Sequence, residues 1–310
     1  MNVRGKKIFV GLSGGVDSAV SAALLQQAGA RVTGVFIKGW YPPGMPCTWA
    51  NERRDAMRVA ARLHIPFLTL DASAEYKKSV IDYLLAEYST GRTPNPDVMC
   101  NKEVKFGAFY RFAKSHGADA IATGHYRSGE KDQSYFLWAV PKDILQAALF
   151  PVGKMDKRDV RSLAKQFNLP VSEKKDSQGI CFLGTVSVKE FLENEFGSNN
   201  PALLYTLGQR TSLPNGPWYV VGKDVEKKEI MVSKTRTSGA QAIPFTDANW
   251  QSEPAGELEA QYRYRGPRVA GRIEGNRFVS REPLPEVPAP GQSVVLYRDD
   301  ELVGGGSITG

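Results

Sequence analysis

The chain has 310 residues, of which 42% are hydrophobic and 24% charged, and this composition predicts a globular protein of two or three domains. No apolar run reaches the roughly 18 residues that a membrane-spanning helix requires, and the run after the basic N-terminal residues is too short for a signal sequence. We therefore expect a cytoplasmic protein with no membrane partner. The net charge of +7 permits a polyanionic partner such as RNA. Three cysteines, Cys47, Cys100 and Cys181, are too few for a disulfide scaffold.

Strands and helices alternate through the first part of the chain. Apolar runs predict strands at 6–12, 31–40, 66–72 and 118–126. Helical patterns occur at 18–28, 51–65, 74–91 and 100–117, and further helical patterns follow over 145–169. This alternation predicts an α/β fold with a parallel, Rossmann-like sheet covered on both faces.

The character of the sequence changes after about Asn199. Short, partly alternating runs separated by Gly and Pro occur at 217–224, 228–233, 258–266, 268–275, 276–282 and 292–308. Such runs are typical of a β sandwich or barrel. We therefore predict a catalytic domain at 1–198, a small central domain at 199–238 and a C-terminal β-barrel at 239–310.

The stretch Gly11–Ser18, GLSGGVDS, lies between the first predicted strand and the first predicted helix. Glycines allow backbone N–H groups to approach a ligand, and the following helix N-terminus favours an anion. The stretch lacks the Lys-Ser/Thr ending of a P-loop, and it is not G-x-G-x-x-G. The alternative to an anion-binding loop is a Gly-rich turn in which a Ser or Asp side chain caps the helix.

The motif SGGVDS, residues 13–18, resembles the pyrophosphate loop of the N-type ATP pyrophosphatases. Further motifs, in chain order, are similar to those of the tRNA-specific 2-thiouridylase family. The strongest are GRTPNPDVMCNKEVKFG at 91–107, ATGHY at 122–126 and KKDSQGICF at 174–182. Weaker matches lie at 131–137, 149–153, 205–210, 218–224, 262–266 and 289–297.

This resemblance implies a HUP-type ATP pyrophosphatase domain and an enzyme that replaces O2 of the wobble uridine of tRNA with sulfur. ATP would adenylate O2, a cysteine persulfide would supply the sulfur, and AMP and pyrophosphate would be released. The implied ATP-binding residues are Gly11, Leu12, Ser13, Gly14, Gly15, Val16, Asp17, Ser18, Ile37 and Gly124. Asp17 could help to hold Mg²⁺, since a carboxylate suits a hard cation.

The resemblance also implies the catalytic residues. Cys181 matches the residue that carries the persulfide, Cys100 the second thiol that can form a transient disulfide with it, and Asp97 the acid/base partner. From the sequence we expect Cys100 to open a helix, whose dipole would lower the thiol pKa. The alternative for either thiol is a small buried apolar side chain. Cys47 has no implied role.

Residues that match tRNA-contacting residues of this family are spread along the chain. Asn95, Pro96 and Asp97 match the stretch that meets the target base. The remaining matches to tRNA contacts are His125, Lys131, Asp132, Gln133, Arg263, Tyr264 and Gln292. Alternatives without RNA are a satisfied strand-end histidine at 125, a helix cap at 132 and a solvated strand face carrying Arg263 and Arg265.

Three other functions stay open. The first is the same thiolation with an iron–sulfur cluster held by Cys100, Cys181 and a ligand such as Asp97. The second is another ATP-pyrophosphatase ligase or amidase, and the third is a tRNA-binding protein without catalysis. We expect a monomer that receives sulfur from a sulfur-relay protein or a cysteine desulfurase. The segments after Tyr126 and Gly184 are shorter than is usual in the family, which bears on tRNA binding.

Overall fold

The computed structural model describes residues 2–42, 49–175, 187–235 and 239–310. They form two compact units, Met1–Ser79 with Met99–Thr185, and Val80–Val98 with Val186–Gly310. None of the helices described is both long and apolar enough to span a membrane. The α-helices are α1 (Val16–Gln27), α2 (Trp49–Leu63), α3 (Ser73–Tyr76), α4 (Tyr83–Ser89), α5 (Pro96–Met99), α6 (Phe109–Ser115), α7 (Lys142–Ala147), α8 (Lys157–Gln166), α9 (Val188–Phe196) and α10 (Pro201–Leu204).

The strands of the first unit form one parallel sheet. They are β1 (Lys7–Gly11), β2 (Arg31–Lys38), β3 (Phe67–Asp71), β4 (Ala120–Ala122) and β5 (Ala148–Leu149). Their order in the sheet is β3-β2-β1-β4-β5, with Ile8 of β1 paired to Val32 on one side and to Ala120 on the other. The chain therefore leaves β1 toward one edge and later returns to its other side. Open α/β sheets bind ligands at this kind of switch point, beyond the carboxyl ends of the central strands.

Burial follows the sequence periodicity in this unit. On α2, Ala56, Val59, Ala60 and Leu63 recur at helical spacing and are all buried. Strand β1 is buried along Ile8–Val10, as a strand covered on both faces should be. The predicted parallel α/β fold is confirmed, but β5 was missed, because two residues inside a helical pattern carry no strand signal.

Two helical segments contain wide turns. Residues Lys77–Asp82 and Cys100–Ala108 form π-helical stretches, the first between α3 and α4 and the second between α5 and α6. The helix predicted to begin at Cys100 therefore begins at Pro96, a residue whose missing N–H suits the first turn. Cys100 lies in the second turn and is buried, with 2% of its surface exposed. The expectation that Cys100 opens a helix was wrong.

The second unit carries the remaining strands. They are β6 (Arg210–Thr211), β7 (Trp218–Asp224), β8 (Glu229–Ser233), β9 (Ala242–Trp250), β10 (Leu258–Gln261), β11 (Val269–Glu274), β12 (Arg277–Ser280), β13 (Ser293–Arg298) and β14 (Glu301–Ile308). Strands β6 to β8 form an antiparallel sheet, and the others close into a barrel in the order β10-β11-β12-β9-β14-β13. The barrel encloses an apolar core that includes Phe245, Phe278 and Leu296. The predicted C-terminal barrel is confirmed.

Two details of the barrel differ from the sequence prediction. Strand β9, whose Thr246, Asp247 and Ala248 are exposed, was missed. Strand β10 ends at Gln261, so Arg263 does not lie on a strand face but in a turn closed by a hydrogen bond from the Gly266 N–H to its carbonyl (2.8 Å). The solvated-strand alternative for Arg263 and Arg265 was therefore wrong.

Candidate active site

The loop after β1 is a tight glycine turn that leads directly into the N-terminus of α1. Gly14 has φ of +75°, and a Cβ there would collide with the Glu52 carbonyl oxygen of α2, so both backbone conformation and space require glycine. The loop serines hold the loop itself: Ser18 Oγ donates to the Gly15 carbonyl (3.2 Å), and Ser13 N–H donates to Ser18 Oγ (3.3 Å). Helix α1 follows at Val16, so its free N–H groups and positive dipole end lie beside the loop.

Charged side chains from distant parts of the chain meet this loop. Asp17 accepts hydrogen bonds from the Tyr126 hydroxyl (2.8 Å) and the Lys157 ammonium (2.6 Å). Lys174 donates to the Gly14 carbonyl (3.1 Å) and pairs with Asp55 of α2 (2.7 Å). Two ammonium groups, each paired with a carboxylate, therefore lie at the loop. Ammonium groups suit the phosphates of a nucleotide, and a carboxylate such as that of Asp17 suits a divalent cation.

Sequence reasoning missed Lys157, Lys174 and Tyr126 as members of this site. Lys157 lies 140 residues from Asp17, and Lys174 lies 160 residues from Gly14. Neither lysine belongs to a local motif that indicates a nucleotide, although Lys174 opens the stretch KKDSQGICF. Only the fold brings them to the loop, because α8 begins at Lys157 and packs against α1.

The structure brings Gly124 and Ile37 to the same edge of the sheet. A Cβ on Gly124 would lie 2.7 Å from Ser18 N and 2.8 Å from Asp17 C, so the segment after β4 approaches the loop backbone as closely as glycine allows. Ile37, near the end of β2, is half-buried and its Cδ1 lies 3.9 Å from the Cβ position of Gly11. An apolar side chain there could pack against a flat base next to the phosphate-binding loop.

An ion pair closes the β2–β3 edge of the same unit. Lys38 and Asp71, which end the two strands in register, pair at 2.8 Å. The Lys38 hydrogen bond, with further hydrogen bonds from the Ser73 side chain and N–H, lowers the pKa of Asp71 to about 2. Asp71 therefore stays ionised throughout the physiological range.

His125 is held as a neutral side chain. Its Nδ1 lies 2.9 Å from Thr123 Oγ1, and its ring contacts that of Phe106 at a centroid distance of 5.4 Å. Desolvation, with the nearby Lys105 charge, lowers the pKa of His125 to about 3. A neutral ring favours hydrogen bonding or stacking over charge in a contact with RNA.

The segment Lys131–Gln133 forms a compact turn after Tyr126. Gln133 N–H donates to the Tyr126 carbonyl (3.0 Å), and its Oε1 accepts from the Tyr126 N–H (3.1 Å). Asp132 accepts from the Ser134 N–H (2.8 Å) and hydroxyl (2.9 Å), whereas Lys131 is exposed. Two of these three side chains thus stabilise the turn, and the Lys131 side chain is exposed at the surface.

The stretch Asn95–Asp97 begins a helix in the second unit. Asn95 Oδ1 accepts a hydrogen bond from the Asp97 N–H (3.1 Å), and α5 starts at the intervening Pro96. Asn95 thus supplies the side-chain cap that the first turn requires. Cys100, three residues after Asp97, belongs to the first unit. Cys47 and Cys181 lie outside the described residues.

Arg263 and Gln292 line a cavity of about 420 Å³ in the second unit. Arg263 donates to the Leu207 carbonyl (2.9 Å) and pairs with Glu286 (3.1 Å), while Gln292 Nε2 donates to the Thr93 carbonyl (2.6 Å). Tyr264 is half-buried beneath the Arg265 guanidinium, 5.3 Å from its ring centroid. Arg263 and Gln292 are therefore anchored to the protein at the wall of this cavity.

Comparison with known proteins agrees with this architecture. Three family profiles match consecutive segments: "tRNA methyl transferase HUP domain" at 6–185, "tRNA methyl transferase PRC-barrel domain" at 186–234 and "Aminomethyltransferase beta-barrel domain" at 240–308. The sheet order, the glycine loop and these matches define an α/β protein of the HUP-domain class followed by a PRC-barrel domain and a C-terminal β-barrel.

The relatives narrow this class. The tRNA-specific 2-thiouridylase MnmA of Streptococcus thermophilus is 38% identical over 355 residues, which cover 97% of this chain and 95% of the relative. That of Geobacillus thermodenitrificans is 38% identical over 349 residues, covering 97% and 94%. The chain belongs to the tRNA-specific 2-thiouridylase family. Because an alignment of 355 residues exceeds this chain of 310, the chain lacks segments that its relative has.

A solved structure of the U34-tRNA thiolase NcsA from Methanococcus maripaludis, described with its 4Fe-4S cluster, is more distant. It aligns with a TM-score of 0.42 and 17% identity over 66% of this chain and 71% of that one. Within residues 2–42, 49–175, 187–235 and 239–310, no group of three or more His, Cys, Asp or Glu side chains could hold a metal ion.

Proposed function

We propose that the protein is a tRNA-uridine 2-sulfurtransferase that converts the wobble uridine of tRNA to 2-thiouridine at the expense of ATP. The observation that carries this proposal is the 38% identity, over 97% of the chain, to proteins named tRNA-specific 2-thiouridylase. The glycine loop with its two lysines supports the ATP half of the reaction, and Cys100 supports the sulfur half. The domain division at 1–198, 199–238 and 239–310 is part of this proposal.

ATP is a substrate whose phosphates fit the loop Gly11–Ser18. The α1 N-terminus and the Lys157 and Lys174 ammonium groups face the negative charge of the pyrophosphate as it leaves. Asp17 would hold Mg²⁺, and the purine would lie between Ile37 and Gly124. The remaining loop residues in this role are Leu12, Ser13, Gly14, Gly15, Val16 and Ser18.

The sulfur half of the reaction needs two thiols. Uridine O2 attacks the α-phosphorus of ATP, and pyrophosphate leaves. The terminal sulfur of a Cys181 persulfide then attacks C2, and AMP leaves with the former O2. The Cys100 thiolate attacks Cys181 Sγ, which releases the thiolated base and leaves a Cys100–Cys181 disulfide that an external thiol reduces. Asp97 would accept and return the protons.

The tRNA would be bound through its anticodon loop, with the wobble uridine splayed out toward Asn95, Pro96 and Asp97. The proposed further contacts are His125, Lys131, Asp132, Gln133, Arg263 and Tyr264. Of the residues in the Tyr126 turn, exposed Lys131 is the best placed for a phosphate. A sulfur-relay protein or a cysteine desulfurase would load Cys181, and the enzyme would act as a cytoplasmic monomer.

The iron–sulfur alternative requires Cys181, which lies outside the described residues, together with Cys100 and Asp97. It predicts that the anaerobically purified protein absorbs visible light and loses activity with a chelator. The persulfide route predicts activity in metal-free buffer. The two routes share ATP and tRNA, so this spectrum separates them.

The test is mass spectrometry of nucleosides from unmodified tRNA incubated with the pure protein, ATP, Mg²⁺ and a sulfur donor. Wild type should yield 2-thiouridine, and Cys100→Ser and Cys181→Ser should not. The nucleoside mass also separates an oxygen-to-sulfur exchange from an added methyl group. If wild type releases pyrophosphate in a tRNA-dependent manner but forms no thiouridine, the proposed sulfur chemistry is wrong.

A further inference from the structure

The segment that leads into Asn95–Asp97 is fixed at both ends within the second unit. At its start, α4 ends with hydrogen bonds from the Gly91 N–H to the Tyr88 carbonyl (2.9 Å) and from the Arg92 N–H to the Glu87 carbonyl (3.1 Å). This pair of bonds is a Schellman motif, which sets the direction of the chain as it leaves the helix. Thr93 and Pro94 alone then separate the anchored Arg92 from Asn95.

The C-terminal barrel holds the other end. Both backbone polar groups of Thr93 are bonded to one short stretch of the barrel: its N–H donates to the Pro290 carbonyl (2.8 Å), and its carbonyl accepts from Gln292 Nε2 (2.6 Å). Thr93 is buried, with 6% of its surface exposed. Buried backbone groups that lose such partners carry a large cost, so this backbone has one strongly favoured position.

Gly291 lies directly beneath the same backbone. It has φ of +89°, and a Cβ there would lie 2.8 Å from Thr93 N and 2.9 Å from Thr93 C. The glycine is itself fixed, because its N–H donates to the Ile308 carbonyl (2.9 Å) and the Ile308 N–H donates to the Gln292 carbonyl (2.7 Å). The barrel therefore presents a rigid surface on which Thr93 rests at backbone contact distance.

We propose that Gln292 and Gly291 are positioning residues, which hold the Thr93–Pro94 backbone so that Asn95 and Asp97 meet the target base in one fixed geometry. This inference rests on the proposed function and deepens it. It differs from the role that the family resemblance implies for Gln292, a direct contact with tRNA, because one of the two amide N–H groups of Gln292 is donated to the Thr93 carbonyl and holds the side chain against that backbone. Small displacements of a substrate-positioning group reduce catalysis more than they reduce binding.

Three variants test the proposal. Gln292→Met keeps the side-chain length but removes the donor, and Gly291→Ala introduces the Cβ that meets Thr93. Gly275→Ala is the matched control, since Gly275 is a barrel glycine with φ of +59° and nothing within 4 Å of a Cβ. We expect Gln292→Met and Gly291→Ala to lower the maximal single-turnover rate of 2-thiouridine formation by about tenfold or more. The tRNA dissociation constant should stay within about twofold, and Gly275→Ala should match wild type.

The opposite split overturns the proposal. If Gln292→Met raises the tRNA dissociation constant and leaves the maximal rate unchanged, Gln292 is a direct RNA contact. If both variants behave like Gly275→Ala, the barrel does not position the segment. Hydrogen exchange of a peptide containing Thr93 supplies a readout that needs no activity: it should accelerate in Gln292→Met and not in Gly275→Ala. Should wild type form no thiouridine, the proposed function fails, and this exchange measurement still decides whether Gln292 holds Thr93.

Discussion

Replacing Gly14 with alanine should damage both the stability of the first unit and its binding of ATP. Gly14 has φ of +75°, which costs an alanine about 1 kcal/mol, and the new Cβ also collides with the Glu52 carbonyl oxygen. Overpacking of this kind typically costs about 1–3 kcal/mol. We therefore expect Gly14→Ala to lose about 2–4 kcal/mol of unfolding free energy. Because the loop must move to relieve the collision, ATP affinity should fall at least about tenfold.

Gly129→Ala is the matched control for this prediction. Gly129 lies in the turn before Lys131 with φ of +76°, nearly that of Gly14, but nothing lies within 4 Å of its Cβ position. It should lose only the conformational term, about 1 kcal/mol, and bind ATP as wild type does. Urea unfolding gives the stability of each variant, and calorimetric titration gives its ATP affinity. Equal losses in the two variants would refute the argument that α2 backbone, rather than φ alone, requires glycine at Gly14.

Lys157→Met should lower tRNA-dependent pyrophosphate release about 100-fold, since the Lys157 side chain is only 14% exposed at the loop. The control is Lys165→Met on the same helix, where the side chain is 63% exposed, and this variant should not change pyrophosphate release. Equal effects of the two variants would show that Lys157 is not part of the site. Lys223 has no hydrogen-bond partner for Nζ within the described residues, and burial lowers its pKa to about 8, so below pH 8 its buried charge destabilises the fold. Lys223→Met should raise the unfolding free energy by about 1–2 kcal/mol at pH 7. Between pH 8 and the unfolded value of 10.5, the unfolded state binds more protons, so wild type gains stability and the advantage of the variant shrinks. Urea unfolding at pH 7 and pH 10 measures the stability difference between Lys223→Met and wild type, with Lys227→Met, at a side chain 73% exposed, as the control. The prediction is contradicted if Lys223→Met is as much more stable than wild type at pH 10 as it is at pH 7. The imidazole NMR signal of His125 should not titrate between pH 5 and pH 8, because desolvation lowers the pKa of His125 to about 3. The signal is assigned by its loss in His125→Asn. A titration midpoint near pH 6.5 would show that the ring is solvated and would contradict the prediction.

The sequence predicted those features whose cause is local. The run from β1 through SGGVDS to α1 follows from burial, glycine content and helical spacing within one short stretch, and the barrel follows from short alternating runs. Features that depend on long-range contacts were not predictable. Lys157 and Lys174 carry no local signal, and they meet the loop only because the fold brings α8 and the segment after it back to α1.

Helix and strand ends were harder to predict than the elements themselves. Residues Tyr262–Gly266 continue the alternating pattern of β10, but Arg265 adopts φ of +61° and the chain turns. The helix before Cys100 begins earlier than predicted, because Asn95 caps it and Pro96 suits its first turn. Both residues belong to the motif that resembles the stretch meeting the target base. The same residue type can shape the backbone or contact a ligand, so residue identity alone does not distinguish the two roles.

The second unit is built from two separated parts of the chain, Val80–Val98 and Val186–Gly310, and this has a consequence for synthesis on the ribosome. Thr93 and its partner Gln292 are 199 residues apart. At roughly 5–20 residues per second, the earlier part waits on the order of 10–40 s before the barrel that covers it has been translated. During that interval Tyr88 and Thr93, both buried in the finished protein, are accessible to chaperones and proteases. A slowly translated message should therefore lower the yield of folded protein without any change in its sequence.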